Sequence, residues 1–344
     1  MFFVSFHGGK KTTQVPNPIN NVNAYDDDGN AKATDILQVD SDDAKSKKIK
    51  LDELRGLYLD SSTGTLFVVN GSKDTSNILC FTGSGTSYAS PSVFASSDTT
   101  PAINHPFAAA FDGKSTWYVS NQDTNVVAAL TAPSGQTAAS AAPLGSYLDA
   151  FYPAGTFLGG TLIASAVGGL SDATVVPAEL GGLAAQPPTG KVQNSVRDVQ
   201  LYQYTFSGQS LSLLFVVDEA ASLVRIYDPA TGQPLRCSNP LPASPTHLLI
   251  NQNTIYAGVG SQVCSSPIPN PYDPNAPAWV FTPISSLGTL PGAVSGMAFD
   301  SAGCFHVAIR TKNQVLKFDA TFSNPTPWPA KMTDNPEFLL YIPD

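Results

Sequence analysis

The sequence is poor in charged residues, and basic residues are the scarcer kind. Charged side chains make up 13% of the 344 residues, about half of the roughly 25% that is usual in a globular protein. Lysine and arginine number 18 against 27 acidic residues, which leaves a net charge of −9. A protein that binds nucleic acid needs a basic surface to face the phosphates. The composition therefore predicts no nucleic-acid partner.

Long apolar runs and clustered cysteines are also missing. No run approaches the roughly 20 apolar residues of a membrane helix, so we expect no membrane partner. The four cysteines (Cys80, Cys237, Cys264 and Cys304) show no CxxC or Cys/His spacing, which argues against a zinc site. The first residues, MFFVSFHGGKK, lack the features of a signal peptide. This favours a cytoplasmic protein, or a secreted one if the chain is a mature form.

Short apolar strands separated by turn residues fill most of the chain. Residues 54–81 form a strand, an aspartate, a Ser/Thr/Gly turn, a second strand, a polar loop and a third strand. β-Branched and aromatic residues are typical of strands, and Gly and Ser end them. The same order returns from His105, Val196, Pro245 and Val294. This spacing of about 40–50 residues is typical of propeller blades.

The two ends of the sequence supply a sixth blade. MFFVSFHG matches the second strand of a repeat and NNVNAYD the third, whereas NPEFLLYIPD matches the first. A blade built from both ends closes the ring and leaves no open sheet edge. We therefore predict an all-β fold, a six-bladed β-propeller. Residues 1–344 would form this single domain, closed by N- and C-terminal strands that share one blade.

Residues 144–196 interrupt the repeats. They are rich in Gly, Ala and Pro and hold few charges, which makes them too apolar for a disordered linker. A long segment of this kind inside a domain often serves as a functional lid. Because it joins the third blade to the fourth, we expect this insertion to cover the mouth of the central channel. The alternative is a set of extra strands that widens a blade.

The repeats resemble those of the NHL family. LRGLYLD followed by LFVVN, and VSGMAFD followed by FHVAIR and QVLKFD, are similar to its blade pattern. The resemblance covers nearly the whole chain except residues 144–196. It implies the fold and leaves the function open, because this architecture hosts binding scaffolds and several kinds of enzyme. In such propellers the residue that starts each inner strand points into the channel, and these positions hold Glu337, Arg55, Phe107, Arg197, Thr246 and Ser295.

The candidate site consists of these six residues and three neighbours, His105, Asp198 and His247. We expect the two arginines to bind an oxyanion, keto–enol or carboxylate group. Proton transfer would fall to the acidic residues and to His247; the catalytic residues are then Glu337, His247 and Asp198. The substrate-binding residues are Arg55, Arg197, Phe107, Thr246, Ser295 and His105. Two alternatives stay open: the arginines and Glu337 form a structural ion pair that plugs the channel, and His247 is a core residue.

The same positions argue against a metal. Gluconolactonase and regucalcin-like propellers hold a divalent cation with Glu, Asn and Asp residues contributed there. This chain keeps Glu337 and places two arginines at other positions, which repel a cation and supply no oxygen ligand. We therefore predict no metal and no cofactor. Asn70, Asn121 and Asp218 end second strands, where Asx side chains bond local backbone, and we interpret them as structural.

Three functions fit these observations. The first is a metal-independent enzyme that binds a small, partly apolar organic molecule and promotes elimination, isomerisation or cyclisation. It is compatible with a resemblance to propeller-like fungal cyclases that promote a hetero-Diels–Alder reaction in natural-product biosynthesis. The second is a non-enzymatic NHL-type scaffold with a protein partner. The third is a metal-dependent lactonase. The small, apolar composition of the insertion favours the first.

Overall fold

The computed structural model describes residues 1–8, 18–40, 49–72, 76–98, 103–122, 126–132, 140–141, 147–149, 196–206, 209–230, 234–273, 276–329 and 332–343. Within these ranges, strands β1 to β25 form six antiparallel sheets. Two short 3-10 helices, Ser285–Leu287 and Arg310–Lys312, lie between strands. No helix in the described ranges is long and apolar enough to span a membrane.

Each sheet is one blade, and its strands follow one another from the channel outwards. Blade one contains β25 (Pro336–Tyr341), β1 (Phe2–Phe6), β2 (Val22–Tyr25) and β3 (Ala31–Ala33). Blade two contains β4 (Leu54–Asp60), β5 (Thr65–Asn70), β6 (Asn77–Ser84) and β7 (Ser87–Ser96). Blade three contains β8 (Pro106–Phe111), β9 (Thr116–Asn121), β10 (Val126–Thr131), β11 (Ser140–Ala141) and β12 (Tyr147–Asp149).

The second half of the ring repeats this order. Blade four contains β13 (Val196–Phe206), β14 (Gln209–Asp218), β15 (Leu223–Tyr227) and β16 (Pro234–Cys237). Blade five contains β17 (Pro245–Asn251), β18 (Thr254–Val259), β19 (Gln262–Pro267) and β20 (Thr282–Pro283). Blade six contains β21 (Val294–Phe299), β22 (Phe305–Ile309), β23 (Gln314–Phe318) and β24 (Thr326–Pro327).

The ring closes through blade one, as the sequence predicts. Strand β1 lies between β25 and β2, with Phe3 opposite Leu340 on one side and Ala24 on the other. Inner strand β25 packs against β4 of blade two and β21 of blade six, and the other inner strands contact their neighbours in the same way. The predicted all-β, six-bladed propeller with terminal strands sharing one blade is therefore confirmed.

Apolar side chains on both faces of each sheet hold the blades together. Successive residues of a strand face opposite sides, so Phe2 packs toward blade six and Phe3 toward blade two. Each of the six seams holds its own buried apolar cluster. Burial of one such large side chain contributes roughly 1.5–3 kcal/mol. The strands are apolar on both faces because each blade is covered on both sides.

The start of the predicted insertion belongs to blade three. Tyr147–Asp149 pairs with β10 beside Val126–Ala128, while β11 pairs with the other end of the same strand. Together β11 and β12 form the outer strand of the blade. Residues 150–195, which make up most of the predicted channel cover, lie outside the described residues. The four cysteines carry free thiols, including Cys237 and Cys264.

Candidate functional site

A β-bulge interrupts each inner strand at the same place. The pairing shifts register directly after the first residue of every inner strand, in all six blades. The residue in each bulge is one of the six predicted from the repeats: Glu337, Arg55, Phe107, Arg197, Thr246 and Ser295. A bulge re-aims the side chain that it carries. The repeated bulge thus directs one residue of each blade away from the regular pleat at the amino ends of the inner strands.

Arg55 is the most highly connected residue at this end of the channel. Its Nη1 donates to Oε1 of Glu337 at 3.1 Å, and its Nη2 lies 3.4 Å from Oε2 of Glu53. Nη2 is also 3.1 Å from Nε2 of His105. A Cβ atom at Gly71 would lie 2.5 Å from Nε of Arg55, so glycine is required beside this side chain. Arg55 and Glu337 are 4% and 2% exposed, which makes them a buried ion pair.

Arg197 is engaged in a similar way on the opposite side. Its Nε pairs with the carboxylate of Glu219, and its Nη1 donates to Oε1 of Gln122. The guanidinium groups of Arg55 and Arg197 lie 5.2 and 5.5 Å from the ring centre of Phe107. Both distances suit a cation–π contact. Phe107 therefore contacts both predicted arginines. The guanidinium groups of both already bond to other protein side chains.

We call this group the charged layer: Glu53, Arg55, Arg197, Glu219, Arg310 and Glu337, together with His7 and His105. Arg310 joins through its Nε, 3.3 Å from Oε2 of Glu337. The proximity of His105 and the charge of Arg55 lower the pKa of Glu53 to about 2, against the effect of burial. Burial lowers the pKa of His7 to about 4. Three arginines thus face three glutamates with no net charge, as the structural ion-pair interpretation expects.

Thr246 and Ser295 occupy the other side of the ring and bond to the backbone. Oγ1 of Thr246 donates to the carbonyl of Val294, and Oγ of Ser295 to that of Pro336, at 2.9 and 2.7 Å. Each acceptor is the first residue of the next inner strand. These hydroxyl groups connect neighbouring blades, so their protons already form hydrogen bonds with backbone carbonyl groups. The charged layer and this hydroxyl side together complete the ring of bulge residues.

Asp198 and His247 lie one residue further along their strands. Asp198 is fully buried and accepts from the backbone N–H groups of Val199 and Leu248, both at 2.8 Å. Its Oδ2 lies 2.7 Å from Nδ1 of His247. The angle at this nitrogen is poor for a hydrogen bond, so the contact is mainly electrostatic. The ring of His247 packs edge-on against Phe338 at 4.8 Å.

A chamber of about 400 Å³, lined mostly by apolar side chains, occupies the channel beyond these residues. All six inner strands line it, and the lining reaches the last residues of four of them: Phe111, Asn251, Phe299 and Tyr341. The lining includes apolar and aromatic side chains, the amides Gln200 and Asn251, and His247. Among the described residues, this lining contains no aspartate, glutamate, lysine or arginine. The chamber therefore lies toward the carboxyl ends of the inner strands, and the charged layer lies at their amino ends.

The predicted site thus divides into two parts. Arg55, Arg197, His105 and Glu337 lie in the charged layer, and Phe107 contacts its two arginines. His247 lines the chamber, and the buried Asp198 lies behind it. The insertion ends where β13 begins, at Val196 beside Arg197. It therefore rejoins the propeller at the amino ends of the inner strands.

Sequence reasoning missed the members of the charged layer that loops contribute. These are His7, Glu53, Glu219 and Arg310, and none of them starts an inner strand. Gln122, which bonds to Arg197, was missed as well. One signal was available, because Glu53 and His105 directly precede two of the aligned strands. Both adopt a left-handed backbone, with φ of 53° and 52°, which turns the chain just before β4 and β8.

The residues that end the second strands bond to backbone, in two blades to the segment that leads into the inner strand of the same blade. Asn70 accepts from the N–H of Asp52 and donates to the carbonyl of Lys50, while Asn121 accepts from the N–H of Asn104. Asp218 accepts from the N–H of Ala221. This agrees with the interpretation of these side chains as structural. Among the described residues, no group of three or more His, Cys, Asp or Glu is placed to hold a metal ion.

The protein is a six-bladed β-propeller whose channel holds a charged layer at one end and a chamber lined mostly by apolar side chains at the other. A chain of the nidogen/laminin complex shares the fold with a TM-score of 0.53 and 11% identity, covering 98% of this chain and 97% of that one. A candidate 6-phosphogluconolactonase of Bacteroides fragilis NCTC 9343 is similar at a TM-score of 0.53 and 12% identity, covering 99% and 97%. Both similarities concern the fold. No protein-family profile matches the sequence, and no curated protein matches it significantly.

Proposed function

We propose that the protein is an enzyme that acts on a small, uncharged and largely apolar organic molecule in the chamber, with His247 as the group that moves a proton. The chamber carries this proposal. Its volume of about 400 Å³ falls within the roughly 300–1,000 Å³ of small-molecule sites, which combine an apolar lining with few polar groups. In the part of the chain that the structure describes, the lining holds no Asp, Glu, Lys or Arg side chain. An uncharged ligand fits such a lining because burial of an unpaired charge is costly.

His247 is suited to proton transfer because its neighbours hold it in place. Asp198 lies against Nδ1, which leaves Nε2 as the nitrogen for a ligand. Two backbone N–H groups fix the carboxylate, so it can stabilise the imidazolium that forms when Nε2 takes a proton. Imidazole is the side chain that changes charge most readily near neutral pH. Asp198 is then a positioning residue and His247 the catalytic base.

The reactions that suit this arrangement begin with removal of a proton from carbon or oxygen. Elimination and isomerisation follow directly from that step. Cyclisation suits the chamber in a second way, because a confined apolar space can hold a flexible molecule in a reactive geometry. A hetero-Diels–Alder cyclisation belongs to this last class. None of these reactions needs a cofactor or a metal. The resemblance of the blades to NHL repeats remains a prediction, and it concerns the scaffold and not the reaction.

A model proton transfer tests the proposal without knowledge of the natural substrate. The probe is 5-nitrobenzisoxazole, a small uncharged molecule that opens when a base removes its carbon-bound proton. We expect saturable turnover and a loss of about 100-fold or more in His247→Gln, the usual contribution of a positioned general base. An Ala109→Phe variant, which fills part of the chamber, should also lose binding of the probe.

A second buried His–Asp pair supplies the matched control. Nε2 of His306 lies 3.2 Å from Oδ2 of Asp300, away from the chamber lining. His306→Gln should therefore leave the rate unchanged. Equal rates in the wild type and the folded His247→Gln variant would refute the proposal. Failure of the probe to bind or react would also count against it and would favour the non-enzymatic scaffold.

A further inference from the structure

One oxygen of Glu337 lacks a hydrogen bond although it is buried. Oε1 accepts from Arg55, whereas Oε2 accepts from no group among the described residues. Nε of Arg310 lies 3.3 Å away, in poor alignment, and Nδ1 of His7 lies 3.9 Å away. Glu337 is 2% exposed. A buried carboxylate oxygen without a donor is costly, so the position of Oε2 needs an explanation.

The facing nitrogen of His7 is a hydrogen-bond donor. Nε2 of His7 lies 2.8 Å from Nη2 of Arg310, and a guanidinium group can only donate. Nε2 therefore carries no proton. Because burial lowers the pKa of His7 to about 4, the ring is neutral at pH 7 and its single proton sits on Nδ1. Nδ1 is buried and has no partner among the described residues.

A donor and an acceptor thus face each other across a gap that is too wide for a direct hydrogen bond. The separation is 3.9 Å, and N–H···O bonds span about 2.7–3.2 Å. One oxygen atom at about 2.8 Å from both closes the gap. This oxygen must accept from Nδ1 and donate to Oε2. A hydroxyl group does both, whereas a carboxylate or phosphate cannot donate and an ammonium group cannot accept.

We propose that the space between His7 and Glu337 binds the hydroxyl group of a neutral alcohol. The site is distinct from the chamber, because it lies in the charged layer at the other end of the inner strands. The balance of three arginines and three glutamates in this layer suits a neutral ligand. The side chains of His7 and Arg310 are 22% and 37% exposed, so the site lies next to solvent although the two facing atoms are themselves buried.

Water and an alcohol share this O–H chemistry, so the experiment must separate them. The probes are glycerol, xylitol and myo-inositol, added to protein labelled with ¹⁵N in its histidines. Long-range ¹H–¹⁵N spectra report which nitrogen of His7 carries the proton. We expect the proton on Nδ1 and a saturable shift of its resonance with at least one polyol. A Lys50→Gln variant, changed at an exposed side chain outside the layer, should bind the same polyol as the wild type.

Two substitutions of His7 isolate the donor. His7→Phe removes both nitrogens, whereas His7→Asn keeps an N–H group near the position of Nδ1. Both lose the contact with Arg310, so their difference reports on the donor alone. Loss of a hydrogen bond between two neutral groups costs about 0.5–1.5 kcal/mol, so His7→Phe should bind polyol roughly 2- to 12-fold more weakly. Binding should return in His7→Asn, and stability measured by urea unfolding confirms that both variants fold.

Each other result overturns the proposal. A proton on Nε2 would remove the donor, and the absence of any polyol shift up to molar concentration would leave a structural water only. Equal polyol binding by His7→Phe and the wild type would place the polyol elsewhere. The outcome is independent of the proposed function, because no measurement involves the chamber or His247.

Discussion

The ion pair between Arg55 and Glu337 should stabilise the propeller strongly, and a double-mutant cycle can measure it. The two side chains are 4% and 2% exposed and lie 3.1 Å apart. Removal of one partner from a buried pair leaves an uncompensated charge and costs about 3–5 kcal/mol. We expect losses of this size for Arg55→Met and for Glu337→Leu. Arg310 adds to the second loss, because it also faces Glu337.

The double variant should recover most of this loss. Replacement of both partners by apolar side chains of similar volume is often neutral or stabilising by about 1–4 kcal/mol. The assay is urea unfolding of the wild type, both single variants and the double variant, with the coupling energy taken from the cycle. Lys50→Met supplies a control, because Lys50 pairs with Asp52 while 65% exposed, and exposed pairs contribute only about 0.2–1 kcal/mol. Single losses below about 1 kcal/mol in the cycle would refute burial of the pair. The layer would then be open to solvent and Arg55 free to bind a ligand.

Deletion of residues 337–344 should abolish cooperative unfolding, because blade one loses its inner strand; a truncated chain that melts cooperatively would contradict the closure by β25. Burial lowers the pKa of His306 to about 4 from 6.5, so the unfolded state binds more protons between these values. The unfolding free energy should therefore fall as the pH drops through this window, by up to about 1.4 kcal/mol per pH unit for this group. Urea unfolding at pH 7.5 and 5 should show a weaker dependence for His306→Phe, and equal slopes would disprove the assignment. Purified protein should contain no stoichiometric metal and should keep its melting temperature in a chelator, because Arg55 and Arg310 face Glu337. Elemental analysis that finds stoichiometric calcium or zinc, whose removal by the chelator lowers the melting temperature, would contradict this.

The repeat made the fold predictable from the sequence. Strand and turn patterns are local, so the six copies and the match of both ends to one blade could be identified without coordinates. The six residues in the bulges were also predictable, because each occupies the same place in its repeat. The hydrogen bonds of Thr246 and Ser295 to the next inner strand could not be predicted, because they depend on how neighbouring blades pack.

The repeat pattern predicts the architecture, the closure of the ring and the residue that each blade presents at its bulge. The packing of the blades determines which loop residues reach those positions and where the open space lies. Arg55 and Glu337 are 282 residues apart in sequence, and His7 and Arg310 are 303 apart. No local sequence pattern predicts such contacts, because they form only when the ring closes. The chamber likewise exists because six inner strands leave a space between them, which is a property of the ring and of no single blade.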